Sequence, residues 1–256
     1  MKLWERVIER RLRRETEVSE NQFDFMSGWS SMEAIHIIRT LMEKNENDQN
    51  EEAKICIGEH ILEPKESFRY HGYVIHKSVR IEDDVIHHIQ AGWLKWRAAT
   101  GIMYDTNAPV KLKGTFYRLA IRPAMLYGSK CWPLTKVQAN MMEVAEIRML
   151  RWTCGKTLLD MIPNGAFRRN MQVATIVNKM REGRLRWFGH VKMRPQSRPV
   201  MRVESITVDG VRRRGRPKHR WEDRLKTNLK ELLLSEDMTS DRNSWRTRIR
   251  VDEDDA

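Results

Sequence analysis

Long apolar runs are missing from this chain of 256 residues. No stretch approaches the roughly 20 uninterrupted apolar residues that a membrane span requires. Cysteine is scarce as well. Cys56, Cys131 and Cys154 are odd in number and widely separated, which fits neither a disulfide framework nor a zinc ribbon or knuckle and predicts reduced thiols. The N-terminus, MKLWERVIERRLRR, carries too much charge for a secretory signal, so an intracellular protein, nuclear or cytoplasmic, is expected. No glycine-rich phosphate loop, no Gly-x-Ser-x-Gly elbow, no internal repeat and no long low-complexity tract occurs, which removes the common signatures of nucleotide hydrolysis and acyl transfer.

Charge and methionine are plentiful instead: 32% of residues are Asp, Glu, Lys or Arg, and there are 15 Met. With 40% hydrophobic residues the chain can still build one or two cores. The net charge of +12 is regional, because residues 168–230 hold 19 Lys and Arg against 5 Asp and Glu, a net +14 that leaves −2 for the remainder. Such a block attracts polyphosphate by counterion release without reading any sequence. A solvated basic surface with no partner is the plainer alternative.

Periodicity predicts a mainly helical protein. Leu3, Trp4, Val7, Ile8 and Leu12 form one stripe at helical spacing; Ala34, Ile35, Ile38, Leu41 and Met42 form another, begun by Ser30 and Glu33 at capping-box offset. The polar run 44–52 breaks the pattern. Short strands are expected over Lys54–Ile57 and Phe68–Ile75, around a turn at 63–65. Ile81, Val85, Ile89, Trp93 and Trp96 then define a helix whose first turn holds Glu82, Asp83 and Asp84, where carboxylates face the positive end of the macrodipole. A helix over Val110–Ile121 should stop at Pro123. The next runs from a Thr135/Gln138 capping box, with Met141, Met142, Ala145, Met149 and Trp152 on one face, to a terminator at Gly155. Further helices are predicted over Met171–Arg181, before Gly183, and over Trp221–Leu234.

Three groups of residues carry candidate chemistry. Asp83 with His87 and Asp84 with His88 stand at i, i+4, a spacing that can hold a cation; the pairs point in different directions, however, and no metal site is expected. Arg212, Arg213, Arg214, Arg216, Lys218 and Arg220 cluster around Gly215 and Pro217, which keep the backbone extended. Arg214-Gly-Arg-Pro217 has the composition of a minor-groove arm, resembles the core of an AT-hook, and would also serve as a nuclear localisation signal. Arg184, Arg186, Lys192 and Arg194 are interleaved with Trp187 and Phe188, a mixture that can neutralise phosphates and stack on bases. Core burial of the two rings is the alternative.

Several segments together resemble the reverse transcriptases of plant LINE-type (non-LTR) retrotransposons. Trp4–Leu12 and Asn21-Gln-Phe-Asp-Phe-Met-Ser-Gly-Trp-Ser-Ser-Met-Glu-Ala-Ile-His36 look like the fingers, and Phe68-Arg-Tyr-His-Gly72 resembles the primer-grip hairpin. Ile89–Arg97, Ile121–Gly128, Met149–Gly155, Leu185–His190 and Arg214–Pro217 follow the family's thumb and C-terminal order. Asp24 and Trp29 stand where the family has glycine and arginine. The resemblance implies a fingers fragment at 1–44, a polar junction at 45–53, a primer-grip-like hairpin at 54–80 with Phe68, Arg69, Tyr70 and Gly72, and a thumb-like region at 81–165. A basic C-terminal region at 166–235 and an acidic tail at 236–256 complete it.

The family's palm, with its Tyr-x-Asp-Asp hairpin, has no counterpart between Lys44 and Lys54. The family's chemistry uses Mg2+ held between those aspartates, so no catalytic residue, no metal and no cofactor are expected here. Without the palm sheet, the apolar faces of the flanking helices should be partly uncovered. The reading is a reverse-transcriptase homologue, inactive as an RNA-directed DNA polymerase, that binds RNA or DNA and neither a membrane nor a small-molecule substrate. An AT-hook-like chromatin protein and a non-functional gene relic are the alternatives.

Overall fold

The computed structural model describes residues 30–45, 55–57, 60–62, 66–70, 73–76, 80–206 and 220–253. The architecture is mainly helical, with two short antiparallel hairpins. The predicted helix over 3–12 and the turn at 63–65 lie outside the described residues.

Helix α1 (Ser31–Asn45) starts where expected, Ser30 Oγ accepting the Glu33 amide at 3.3 Å. The other half of the expected box is spent elsewhere, since the Glu33 carboxylate takes Arg194 Nη2 at 2.7 Å. Strands β1 (Ile55–Ile57) and β2 (His60–Leu62) pair with each other. So do β3 (Ser67–Tyr70) and β4 (Tyr73–His76), in the register Phe68↔Ile75 and Tyr70↔Tyr73. The strands expected over Lys54–Ile57 and Phe68–Ile75 thus fall in two separate local hairpins. Local closure wins because a short loop loses less chain entropy than a longer one. Alternation on β4 sends Tyr73 and Ile75 into the core.

Helix α2 (Glu82–Ala98) and the short α3 (Thr100–Met103) lead to α4 (Val110–Phe116), which does not stop at Pro123. It passes through a π-helical turn at Tyr117–Ile121 into α5 (Arg122–Leu126). There the Arg122 amide bonds to the Tyr117 carbonyl, five residues back. The widened turn makes room for a ring that would otherwise strike the preceding carbonyl, and Pro123, lacking an N–H, sits in the first turn of α5.

Gly128 adopts φ +74°, and a Cβ there would lie 2.6 Å from the Tyr73 ring; the αL turn thus seats the 3-10 segment Ser129–Cys131 against β4. Helix α6 (Lys136–Thr153) carries the full Thr135/Gln138 box. Gly155, at φ +65°, ends it with the paired bonds Lys156 N–H to Arg151 O and Gly155 N–H to Trp152 O, both 2.9 Å. Met142, Ala145 and Met149 are buried as expected, whereas Trp152 turns outward.

Helix α7 (Asn164–Met171) precedes α8 (Ile176–Lys192). The helix predicted over Met171–Arg181 is thus displaced, and Gly183 lies inside α8. A glycine costs only about 1 kcal/mol within a helix, and this one faces Lys130 at ordinary contact distance. Helix α9 (Pro199–Ser205) is followed by α10 (Trp221–Glu231). Residues 236–253, expected as an acidic tail, form a 3-10 turn at Glu236–Ser240 and helix α11 (Arg242–Ile249), which buries Trp245 and Ile249.

Two apolar clusters result. One gathers β4, α2, the π turn, α6 and α7 around Tyr73, Val85, Tyr117, Met125, Met142 and Met149. The other packs α8, α9, α10 and α11 through Leu185, Phe188, Val200, Trp221, Leu225 and Trp245. Helix α8 joins them, its Ile176 and Met180 belonging to the first and its Leu185 to Val191 half to the second. Unbranched methionines fill the gaps in the first cluster, which accounts for their abundance.

Among the elements of the first cluster lies a buried ionic hub. Glu146 of α6 is 0% exposed and accepts from Tyr117 Oη (3.0 Å), Arg122 Nη2 (3.1 Å), Arg168 Nη1 (2.6 Å) and the Ile176 amide (2.9 Å). Glu253 reaches the same hub, accepting from Arg122 Nη1 at 3.1 Å and from the Ala174 amide at 2.9 Å. The end of the described chain is clasped there.

Candidate nucleic-acid interface

Of the ten cations expected to meet nucleic acid, Arg212, Arg213, Arg214, Arg216 and Lys218 lie outside the described residues. The other five are dispersed by the fold. The sequence of α8 alternates cations with aromatics at a spacing that turns Trp187 and Phe188 into the core. Arg184, on that same inward face, is buried; it donates to Asn228 Oδ1 at 2.7 Å and to the Trp132 carbonyl at 3.2 Å. Burial, reinforced by the nearby Arg224, draws its pKa down to about 10. Arg184 is a joint between α8, α10 and the Trp132 segment, with no surface left for a phosphate.

Arg186, Lys192 and Arg194 remain accessible, and each has an acidic partner. Arg186 pairs with Glu182 one turn back. Lys192 Nζ stands 3.0 Å from Glu236 and 5.4 Å from the Phe188 ring centroid. Arg194 pairs with Glu33, which also has His190 Nε2 at 3.6 Å. Arg220 is half-buried before α10, its amide bonded to Asp223 Oδ2 at 3.1 Å. The Lys192–Glu236 pair, open to solvent on both sides, contributes about 0–1 kcal/mol, so a phosphate can displace that carboxylate at little cost, whereas Glu182 and Glu33 are buried and would each lose a partner.

Beside Arg186 the chain forms an open cleft of about 530 Å³, with Lys179, Arg246 and Arg250 as further cations and Glu182, Asp252 and Glu253 as acids. Helices α8 and α11 make its walls. Lys179 is committed inside it, bonding the Val251 carbonyl at 2.6 Å and Glu182 at 3.2 Å, whereas Arg246 is exposed. The cleft is cationic on its rim and neutralised at its floor.

The primer-grip-like residues sit on β3 and β4. Arg69 is exposed and Tyr70 half-buried; of Phe68 the backbone alone is described, and Gly72 lies outside the described residues. Beneath them, the Asp83/Asp84 pair divides. Glu82 and Asp83 are exposed in the first turn of α2, as a macrodipole role requires. Asp84 departs from that reading: it is 0% exposed, with Oδ1 accepting the Val74 amide at 2.9 Å and Oδ2 accepting Trp132 Nε1 at 2.7 Å. His88 Nε2 lies 3.4 Å from Asp84 Oδ1, and its Nδ1 bonds the Ala124 carbonyl at 3.0 Å. Both oxygens are thereby used to tie the hairpin, α2 and the Trp132 segment together. His87 points elsewhere, and burial followed by the neighbouring His88 and Arg69 lowers its pKa. Among the described residues no three His, Cys, Asp or Glu groups come close enough to hold a metal.

Two features escaped the sequence. His36 is buried between the edges of Trp187 and Trp221, 3.5 Å from Glu204. Burial alone would depress its pKa; hydrogen bonds and charge from Cys131 and Glu204 outweigh it and raise the value to about 9. The second is an aromatic cluster of Trp93, Trp96, Trp152 and Tyr104. Trp93 and Trp96 were legible as a helical stripe, but nothing local linked them to Trp152.

The segments that carry the resemblance are, where described, points of close packing. Arg151 bonds the Thr157 and Ile162 carbonyls at 2.8 and 2.7 Å, while a Cβ on Gly189 would meet Trp245 Nε1 at 2.6 Å. They position helices. Among the described residues no helix is long and apolar enough to cross a membrane.

No family model and no solved structure matches the chain. A Caenorhabditis elegans protein described as transposon-derived is 22% identical over 201 residues, which cover 74% of this chain and 72% of that protein. The chain is a distant homologue of a transposon-derived protein.

Proposed function

We propose that the chain is a reverse-transcriptase-like remnant of a non-LTR retrotransposon, without polymerase chemistry, that holds RNA or DNA through its basic region at residues 168–230. The observation that carries the binding half is the charge, +14 across that region in a chain of net +12. Exposed Arg186 and Lys192 and half-buried Arg194 add to it, Lys192 through a pair weak enough to exchange for phosphate. The use of Asp84 supports the absence of polymerase chemistry. Its two oxygens already accept a backbone amide and an indole N–H in the interior, so the Asp83-Asp84 pair cannot clamp two cations at a primer terminus.

Fluorescence anisotropy with duplexes of equal length tests the binding half. About six phosphate contacts predict an affinity loss of roughly 1,000-fold between 50 and 200 mM salt, the same for A·T-rich and G·C-rich sequences. Affinity that does not change with salt would refute the electrostatic reading. A marked A·T preference would transfer the activity to Arg214-Gly-Arg-Pro217 as a minor-groove arm.

A further inference from the structure

We propose that the tryptophan-bearing surface where α2 and α6 lie side by side is a stacking platform for single-stranded nucleic acid, separate from the basic region. The two helices are locked together. Trp96 Nε1 donates to Thr153 Oγ1 at 3.2 Å, and a Cβ on Gly92 would lie 3.4 Å from Met149 Cε. On their outer side the ring of Trp152, 42% exposed, stands 5.1 Å from Trp93 and 5.9 Å from Trp96, and half-exposed Tyr104 is 5.3 Å from Trp96. The rings meet at steep angles of 53–85°, an edge-to-face arrangement that holds each plane in place. Bases stacking on rings already fixed lose less side-chain entropy than bases that must order them.

The rim of this surface selects the ligand. Arg97 on α2, one turn beyond Trp93, and Arg148 on α6, one turn before Trp152, are exposed and make no ion pair with an acidic group among the described residues. That contrasts with Arg186, Lys192 and Arg194, each of which has a carboxylate. Nearby acids are engaged: Asp105 Oδ1 accepts the Asn107 amide, Glu143 pairs with Arg168, and Asp160 pairs with Lys156. An apolar protein partner covering these rings would strip water from two cations and return no counter-charge. A single strand supplies both halves of the match, with bases for the rings and phosphates for the cations. A duplex, whose bases are already stacked, supplies the phosphates alone.

The proposal shares with the preceding one the class of ligand and nothing of its location, so the two fail separately. The test uses the full chain, fluorescein-labelled oligothymidylate and oligouridylate of about 12 nucleotides, and a duplex of the same length, read by anisotropy together with quenching of tryptophan emission. The expected result is that Trp152→Ala weakens both single strands about 10-fold and the duplex by less than about 2-fold. Arg148→Ala weakens the single strands in the same direction with the indole intact. Neutralising Arg212, Arg213 and Arg214 together does the reverse, lowering duplex affinity more. Unchanged single-strand affinity in Trp152→Ala, with a native circular dichroism spectrum and melt, overturns the platform and leaves the basic-region reading standing. So does a dimer in light scattering that Trp152→Ala dissolves, because the face is then a contact between copies. Binding that survives neutralisation of the basic arm and vanishes in Trp152→Ala supports the platform and overturns the basic-region reading.

Discussion

Replacing Glu146 by alanine is the sharpest perturbation of the fold. The carboxylate is 0% exposed and accepts four hydrogen bonds, from Tyr117, Arg122, Arg168 and the Ile176 amide. Its removal leaves two buried guanidinium groups short of an anion. Breaking a buried pair from one side costs about 3–5 kcal/mol, and an orphaned amide adds about 1. The residual pairs offset part of this, since Arg122 keeps Glu253 at 3.1 Å and Arg168 keeps Glu143 at 3.2 Å. A net loss of about 4 kcal/mol follows, a large part of the 5–15 kcal/mol that stabilises a typical domain. For a chain of this size it corresponds to a Tm lower by about 8–16 °C. Urea unfolding followed by tryptophan fluorescence, with thermal melts by circular dichroism, measures it. Tyr117→Phe removes one of the four bonds and should cost about 1 kcal/mol. If Glu146→Ala costs no more than Tyr117→Phe, the hub does not tie α5, α6, α7 and the start of α8 together and the reasoning fails.

Two further perturbations address other parts of the fold. His36, raised to about 9 from 6.5, stabilises the folded protein fully below pH 6.5, and that contribution is lost as pH rises through about 9. Unfolding free energy should fall by about 3 kcal/mol between pH 6 and pH 10, and His36→Gln should flatten that slope; equal slopes in both proteins would remove His36 as the cause. Gly114→Ala gains about 1 kcal/mol of helix propensity, yet its Cβ would sit 1.9 Å from the Met171 carbonyl oxygen. Helices α4 and α7 must separate, so net destabilisation of about 1–3 kcal/mol is expected in urea, and a stabilised variant would contradict the close approach.

Features that depend on neighbours in sequence were legible, and features that depend on distant partners were not. The Thr135/Gln138 box and the Gly155 terminator close within three to five residues, so their residue types suffice to identify them. Pro123 misled because a π turn can absorb a proline, and Gly183 because a glycine inside a helix reads like one at its end. Asp84 shows the limit plainly. Its position in the first turn of α2 was readable, while its partner Trp132 is 48 residues away. The cations of α8 and of the turn after it follow the same pattern. Their abundance is a property of composition, but the Arg194 and Glu33 side chains meet across 161 residues, and Arg184 is consumed by Asn228 across 44.

The central claim, nucleic-acid binding without polymerisation, is tested most directly by one gel. Purified chain is incubated with labelled primer–template, deoxynucleotides and Mg2+, and the products are separated under native and then denaturing conditions. The account predicts a shifted complex whose primer keeps its starting length. Mg2+-dependent lengthening of that primer would contradict it.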